Sequence, residues 1–392
     1  MNQIYFDHSA TTPLDPRVVE AILPLYEEYF GNPSSLHWAG QQAKQAMDKG
    51  RQQVADLFHA SPEEIIFTGS GTEADNMALI GVASRYKPQD CHLITSSFEH
   101  PAILETCKYL EKLGYPVSYL PVTPEGIVEP EFLKQAFRPN TRLVSVMAAN
   151  NVVGTLQPVA ELAKITKAHG ALFHTDAVQA AGKIPLQADT IPFDLLSLSA
   201  HKLHGPKGIG VLYIRKGVTL EPLVHGGGQE RNIRSATENV AAIAGLGKAA
   251  EIAGAEMNEE ATRLVKLRDR IIEGVTNQIQ NAYLIGHRYK RLPGHICLGF
   301  AGQEGEAIHL MLALNEEGIA ISTGSACSSH HAGQPSYILM AMGMDAVRAR
   351  GSLRITLGRF NTETEVDIFL NVLPRLVASL HPVTSRNFAM TA

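Results

Sequence analysis

Cysteine is scarce. Cys91, Cys107, Cys297 and Cys327 are the only four in 392 residues, and no two form a C-x-x-C pair. That spacing argues against a zinc ribbon, a thioredoxin-type redox motif or a dense disulfide framework, and it favours a reducing compartment. A cationic surplus is also missing. Lys and Arg number 34 against 39 Asp and Glu, a net charge of −5 with no long block of one sign. This speaks against a nucleic-acid groove or an anionic membrane surface as the main partner. No apolar run approaches the ~20 residues a membrane span needs. The first 13 residues lack the basic-then-apolar pattern of a secretion signal. The expectation is a soluble, cytoplasmic protein that binds neither nucleic acid nor membrane. Its 45% hydrophobic and 19% charged residues are ordinary for a globular chain. At ~100–200 residues per domain, the length allows about two or three domains.

From residue 60 to 215, short β-branched runs alternate with longer helical patterns. Strands are expected at 64–68, 92–96, 117–122, 143–148, 171–175, 195–199 and 211–214. Helices are expected at 72–86, 102–113, 131–137 and 159–169. Strands separated by helices signal an α/β fold with a mostly parallel sheet between helices. The strand runs are apolar on both parities, as strands covered on both faces require. Residues 240–280, rich in Ala, Glu, Leu and Arg, read as a long helix or helix pair leading out of the sheet. Beyond 282, short strands and helices near 304–314 and 363–380 suggest a smaller α+β unit. The expected division is a large domain at 15–255, and a small one formed by 1–14 and 256–392.

Several strand ends carry chemistry-bearing residues. At Thr68-Gly69-Ser70-Gly71-Thr72-Glu73-Ala74 a strand runs through glycines into a helix, which favours an anion, most often phosphate, at the helix N-terminus. The run also matches the dinucleotide fingerprint G-x-G-x-x-A, and a plain turn with Thr72 capping the helix fits as well. Asp176, in His174-Thr175-Asp176-Ala177-Val178-Gln179, ends an apolar strand. A carboxylate buried there needs a cation or hydrogen-bond donors; a helix cap is the plainer reading. Lys202, in Ser199-Ala200-His201-Lys202, follows another buried strand, where low-dielectric walls would favour the free amine as nucleophile or base. Lys207, in the turn beyond, is the rival, and a surface lysine is the bland alternative. His100 follows a further strand end, where an imidazole can stack on a ring or move protons, or simply pack in a core. Cys327 lies in the small, polar stretch Ser322–Gly333, which reads as an exposed loop and makes it the best thiol nucleophile of the four. The neighbouring His330-His331 pair is a poor metal motif, since adjacent side chains point apart. Arg354 sits in a β-like run and needs a planar anion, from a substrate or from a structural ion pair.

The order of these elements, together with YFDHSATTPLDPRV, FGNPSSLH, NNVVG, HGGGQER, RSAT, QPSY and LRITLGRF, resembles the cysteine desulfurases of the NifS/IscS type. These belong to the class V group of pyridoxal-phosphate (PLP) enzymes. The likeness runs nearly end to end. It implies the PLP-dependent transferase fold of fold type I and a homodimer. It implies Lys202 as the Schiff-base lysine, Asp176 as partner of the pyridine nitrogen and Gln179 as partner of the phenolic oxygen. His100 would stack on the ring. Gly71, Thr72, Ser199 and His201 would cradle the phosphate, with Thr237 lent by the partner subunit. Arg354, Asn151 and Asn32 would hold the substrate carboxylate. Cys327 would accept sulfur as a persulfide.

The activity so implied converts L-cysteine to L-alanine and supplies sulfur, through an acceptor protein such as an iron–sulfur scaffold or a sulfur carrier, to iron–sulfur cluster and other sulfur-cofactor biosynthesis. A selenocysteine lyase, a sulfinate desulfinase or another class V aminotransferase-type enzyme would keep the cofactor and change the reaction. An NAD-linked dehydrogenase built on Gly69-Ser70-Gly71 would leave Lys202 without a role. A cluster scaffold would need more thiols than one loop cysteine offers. Val152 stands where many such enzymes carry Glu, an expected small change in the pocket wall or in the layer behind it.

Overall fold

The computed structural model describes residues 3–324 and 334–380. Its centre is a seven-stranded sheet in the spatial order Ile65–Thr68, Gly210–Ile214, Leu195–Ser199, Leu172–Asp176, Thr141–Ser145, His92–Ser96, Val117–Leu120. Gly210–Ile214 is antiparallel to both neighbours, and all other pairings are parallel. The carboxyl ends of the six co-directional strands therefore share one edge, where open α/β sheets place ligands. Six of the seven strands are buried along most or all of their length, which explains their apolar runs.

The expected helices are present with shifted ends. Gly71–Ala83 starts one residue before Thr72, and Ser70, not Thr72, caps it: the Glu73 amide donates to Ser70 Oγ at 3.1 Å. Pro101–Lys112 opens with proline at its first turn, where a missing N–H costs nothing. The strand expected at 143–148 is Thr141–Ser145. The chain stays extended beyond it, since the Val146 and Ala148 amides still donate to the carbonyls of His174 and Asp176.

Residues 240–280 form one helix, Val240–Gln278, of 39 residues. Its first half, from Ala242 to Ala253, packs into the core around the large sheet. Leu264, Leu267, Ile271, Ile272 and Val275 enter a second core with Ile4, Phe6 and the C-terminal helix Glu363–Ser379. Residue 255 thus lies inside a continuous helix rather than at a linker. The second core includes a four-stranded antiparallel sheet in the order Ser322–Thr323, Ser352–Thr356, His295–Phe300, Ala282–Leu284. Ile4–Tyr5 pairs in parallel with Ile319–Ala320 beside it. Among the described residues no helix is long and apolar enough to cross a membrane.

Candidate active site

A cavity of about 420 Å³ opens at the shared strand edge. The segment after Ile65–Thr68 contributes Gly71 and Thr72, and the segment after His92–Ser96 contributes His100. Leu172–Asp176 ends on Asp176 and leads to Gln179; Leu195–Ser199 ends on Ser199 and leads to His201 and Lys202. Arg354, from the small sheet, and Asn151 close the opposite wall. Ten of the residues singled out in the sequence therefore meet around one space. Asn32 and Thr237 do not line it: both are exposed in the single chain, and Asn32 Oδ1 accepts from the Ser34 amide at 2.9 Å. Cys327 lies outside the described residues.

Lys202 sits in the tight turn Ala200–Lys202. Its ammonium donates to the carbonyls of Ser9 at 2.5 Å and Ala10 at 2.6 Å, so the N-terminal segment aims it. Asp176 is buried and its Oδ1 accepts from the Val178 amide at 2.9 Å. Burial pushes its carboxyl up, against the pull of His100 and Lys202. His100 caps the helix Pro101–Lys112: the Ala102 amide donates to His100 Nδ1 at 3.1 Å. Burial pushes this imidazole down, with Asp176 opposing. The neutral ring accepting at Nδ1 carries its proton on Nε2. His201, which pairs with Thr11 Oγ1 at 3.1 Å, is lowered to about 4 by burial and then by nearby lysines.

Two acids and a histidine stand close behind this edge. Asp75, 1% exposed, is held well above the carboxylate range by burial and then by Asp176. Glu99, fully buried, accepts from Ser96 Oγ at 2.6 Å and from the Met147 amide, and burial pushes it up to about 8. His174 lies between Ser145 Oγ at 2.8 Å and Ser197 Oγ at 2.9 Å, 3.7 Å from Asp75, and burial lowers it to about 3. Asp75, Asp7 and the backbone of Ser9 and Ala10 were not singled out in the sequence. Their signal lay in the T-E-A-D and Y-F-D-H-S-A segments, which give no indication of a fold-back across the cavity. Val152, 2% exposed, packs with Phe98, Met147 and Cys297 in a separate apolar cluster and does not line the cavity.

The site fits pyridoxal phosphate on three counts. A Cβ on Gly71 would lie 2.7 Å from Val178 Cγ2 and 3.2 Å from Ser199 Cβ, so a bare backbone is needed at the helix start where a phosphate would sit. Gln179 Oε1 is buried with no hydrogen-bond partner, an acceptor open to a ligand hydroxyl, while its Nε2 donates to the Ser9 carbonyl at 3.0 Å. Asp176 forms no ion pair among the described residues, feeling His100 and Lys202 only at longer range, and a protonated ring nitrogen would supply a paired cation there.

Comparison with known proteins agrees with this geometry. Residues 4–369 match the family described as aminotransferase class-V. The chain is 48% identical over 382 residues to a protein of Dictyoglomus turgidum named cysteine desulfurase IscS, covering 97% of this chain and 96% of that one. It is also 48% identical over 388 residues to the cysteine desulfurase IscS of Methanosarcina thermophila, covering 98% and 95%. A solved NifS-like protein superposes with a TM-score of 0.90 at 42% identity, over 97% of this chain and 100% of that chain. A structure titled SspA in complex with cysteine gives a TM-score of 0.82 at 34% identity, over 92% and 100%. With its strand-edge cavity and its match along nearly the whole length, the chain belongs to the pyridoxal-phosphate-dependent aminotransferase class-V family, among the cysteine desulfurases of the IscS and NifS type.

Proposed function

We propose that the chain takes L-cysteine to L-alanine and retains the sulfur on Cys327 as a persulfide. The observation that carries this reading is the convergence of Lys202, Asp176 and Arg354 on one cavity. Lys202 would hold the cofactor, with Asp176 at its ring nitrogen, Gln179 at its phenolic oxygen, and Gly71, Thr72, Ser199 and His201 around its phosphate. Bound there, pyridoxal phosphate supplies a sink for the electron pair released at the substrate Cα. Arg354 and Asn151 hold the substrate carboxylate. The Lys202 amine, with His100 beside it, takes and later returns the Cα proton. The Cys327 thiolate attacks the substrate sulfur. An S–S bond forms, the Cβ–S bond breaks with its electron pair staying on carbon, and protonation releases alanine. No external oxidant or reductant is consumed.

The proposal includes a homodimer. Leu23, Tyr26, Phe30, Leu36 and Trp38 are exposed along one short N-terminal stretch, an apolar surface that a second copy would cover. Thr237, exposed in one chain, would then complete the partner's phosphate site. The 1–14 and 256–392 segments form the smaller unit in this reading, and a sulfur-acceptor protein in the cytoplasm takes the persulfide onward.

The test is direct. The purified protein with L-cysteine is expected to yield alanine and a persulfide that mass mapping places on Cys327. Cys327→Ser is expected to keep the cofactor and lose alanine formation by roughly two orders of magnitude or more. Alanine formation at the wild-type rate in that variant would refute the role of Cys327. Sedimentation of the holoenzyme at twice the chain mass is expected.

A further inference from the structure

Lys202 lines two cavities. The second, of about 60 Å³, lies between the two cores and is walled by His8, Lys183, His204, His295 and Arg359. We propose that it binds a small monovalent anion, of the halide or formate class, on the Lys183 ammonium.

The argument rests on what surrounds that ammonium. Lys183 follows Gly182, whose φ of +72° turns the chain inward. Its side chain makes no hydrogen bond or ion pair among the described residues. The carboxylates nearby are engaged elsewhere. Glu260, on the wall, pairs with Arg263 at 2.7 Å. Asp15 and Glu256 pair with Arg17 and Arg359. No acid pairs with the partly exposed Lys183, and burial and then the charge of Lys202 lower its ammonium to about 7.

The histidines supply no counter-charge either. His204 Nδ1 pairs with the Pro13 carbonyl at 2.9 Å and His295 Nε2 with the Asn151 carbonyl at 3.2 Å. Burial holds both as neutral rings. His8 is 4% exposed, and its Nδ1 is buried without a hydrogen-bond partner. Arg359 Nε is likewise buried without one. The wall thus combines a cation with two unmet nitrogen sites and has no carboxylate free to pair with them. A cation this poorly compensated gives up its proton readily, and an anion held beside it would restore the ammonium. Since ~10–15 Å³ of such volume holds one water, the space suits a halide or formate and is too small for a nucleotide.

The test uses bromide with the holoenzyme. Crystals grown in bromide are expected to show an anomalous peak in contact with Lys183 Nζ, absent in Lys183→Met. In solution, bromide replacing gluconate at constant ionic strength is expected to raise Tm along a saturable single-site curve in the wild type. The variant should lose that rise, and formate should compete for the site. Water alone in the wild-type cavity would overturn the proposal even if the variant does not fold. So would a Tm response that is unsaturable or unchanged by the substitution, or a peak seen only at molar bromide.

Discussion

The guanidinium of Arg354 lies 2.9 Å from the carboxylate of Asp7, through Nη2 and Oδ1, although their positions are 347 residues apart. Arg354 is 2% exposed and also donates from Nη1 to the Asn151 carbonyl at 3.3 Å. The N-terminal segment thereby fixes the fork proposed to receive a substrate carboxylate. Burial pushes Asp7 up while Arg354 pulls it down, so the acid orients the fork in a partly desolvated setting.

Arg354→Lys keeps a charge and loses the two-pronged geometry. A charged hydrogen bond contributes ~1.5–3 kcal/mol. KM for L-cysteine is therefore expected to rise about tenfold or more, with cofactor absorbance unchanged. Initial rates of alanine formation across cysteine concentrations check this, and an unaltered KM would remove Arg354 from the substrate site.

Gly71→Ala places a methyl against Val178 and Ser199 at the start of the helix proposed to bind the cofactor phosphate. The helix start must shift, and one backbone hydrogen bond to phosphate is worth roughly tenfold in affinity. Cofactor retention during dialysis, followed by its absorbance, is expected to fall by about that factor. Retention equal to the wild type would place the phosphate elsewhere.

Glu99 gives a pH dependence of definite sign. Its carboxyl is pushed up to about 8 by burial, from an ordinary value of 4.5. The folded protein therefore binds this proton more tightly than the unfolded chain does. The associated stability is complete below pH 4.5 and is lost as pH rises through about 8. Glu99→Gln, which cannot ionise, is expected to lose less Tm than the wild type between pH 6 and pH 9. Parallel Tm curves for the two proteins would show that Glu99 is ionised throughout.

Much of this architecture was legible in the chain because its strands are buried on both faces and its helices begin at capping residues or prolines. The three strands expected at 92–96, 195–199 and 211–214 differ from the observed ones by at most one residue. The 143–148 run ends beyond the observed strand Thr141–Ser145 because its apolar pattern follows a chain that stays extended and still bonds to the neighbouring strand through Val146 and Ala148. Thr72 drew attention as a cap, yet Ser70 is the residue whose hydroxyl meets the third amide. The boundary near 255 fell inside a helix because one helix serves two cores, and composition changes along it without a break. Asp7 was missed for a different reason. Its partner lies at the far end of the sequence, and only the folded chain brings the two together.

Reduction of the reconstituted holoenzyme with borohydride, followed by peptide mapping, tests the central claim most directly. The pyridoxyl group is expected on Lys202 in the wild type, with no covalent label in Lys202→Ala. A label on Lys207 or Lys183, or fixation that survives in Lys202→Ala, would contradict the account.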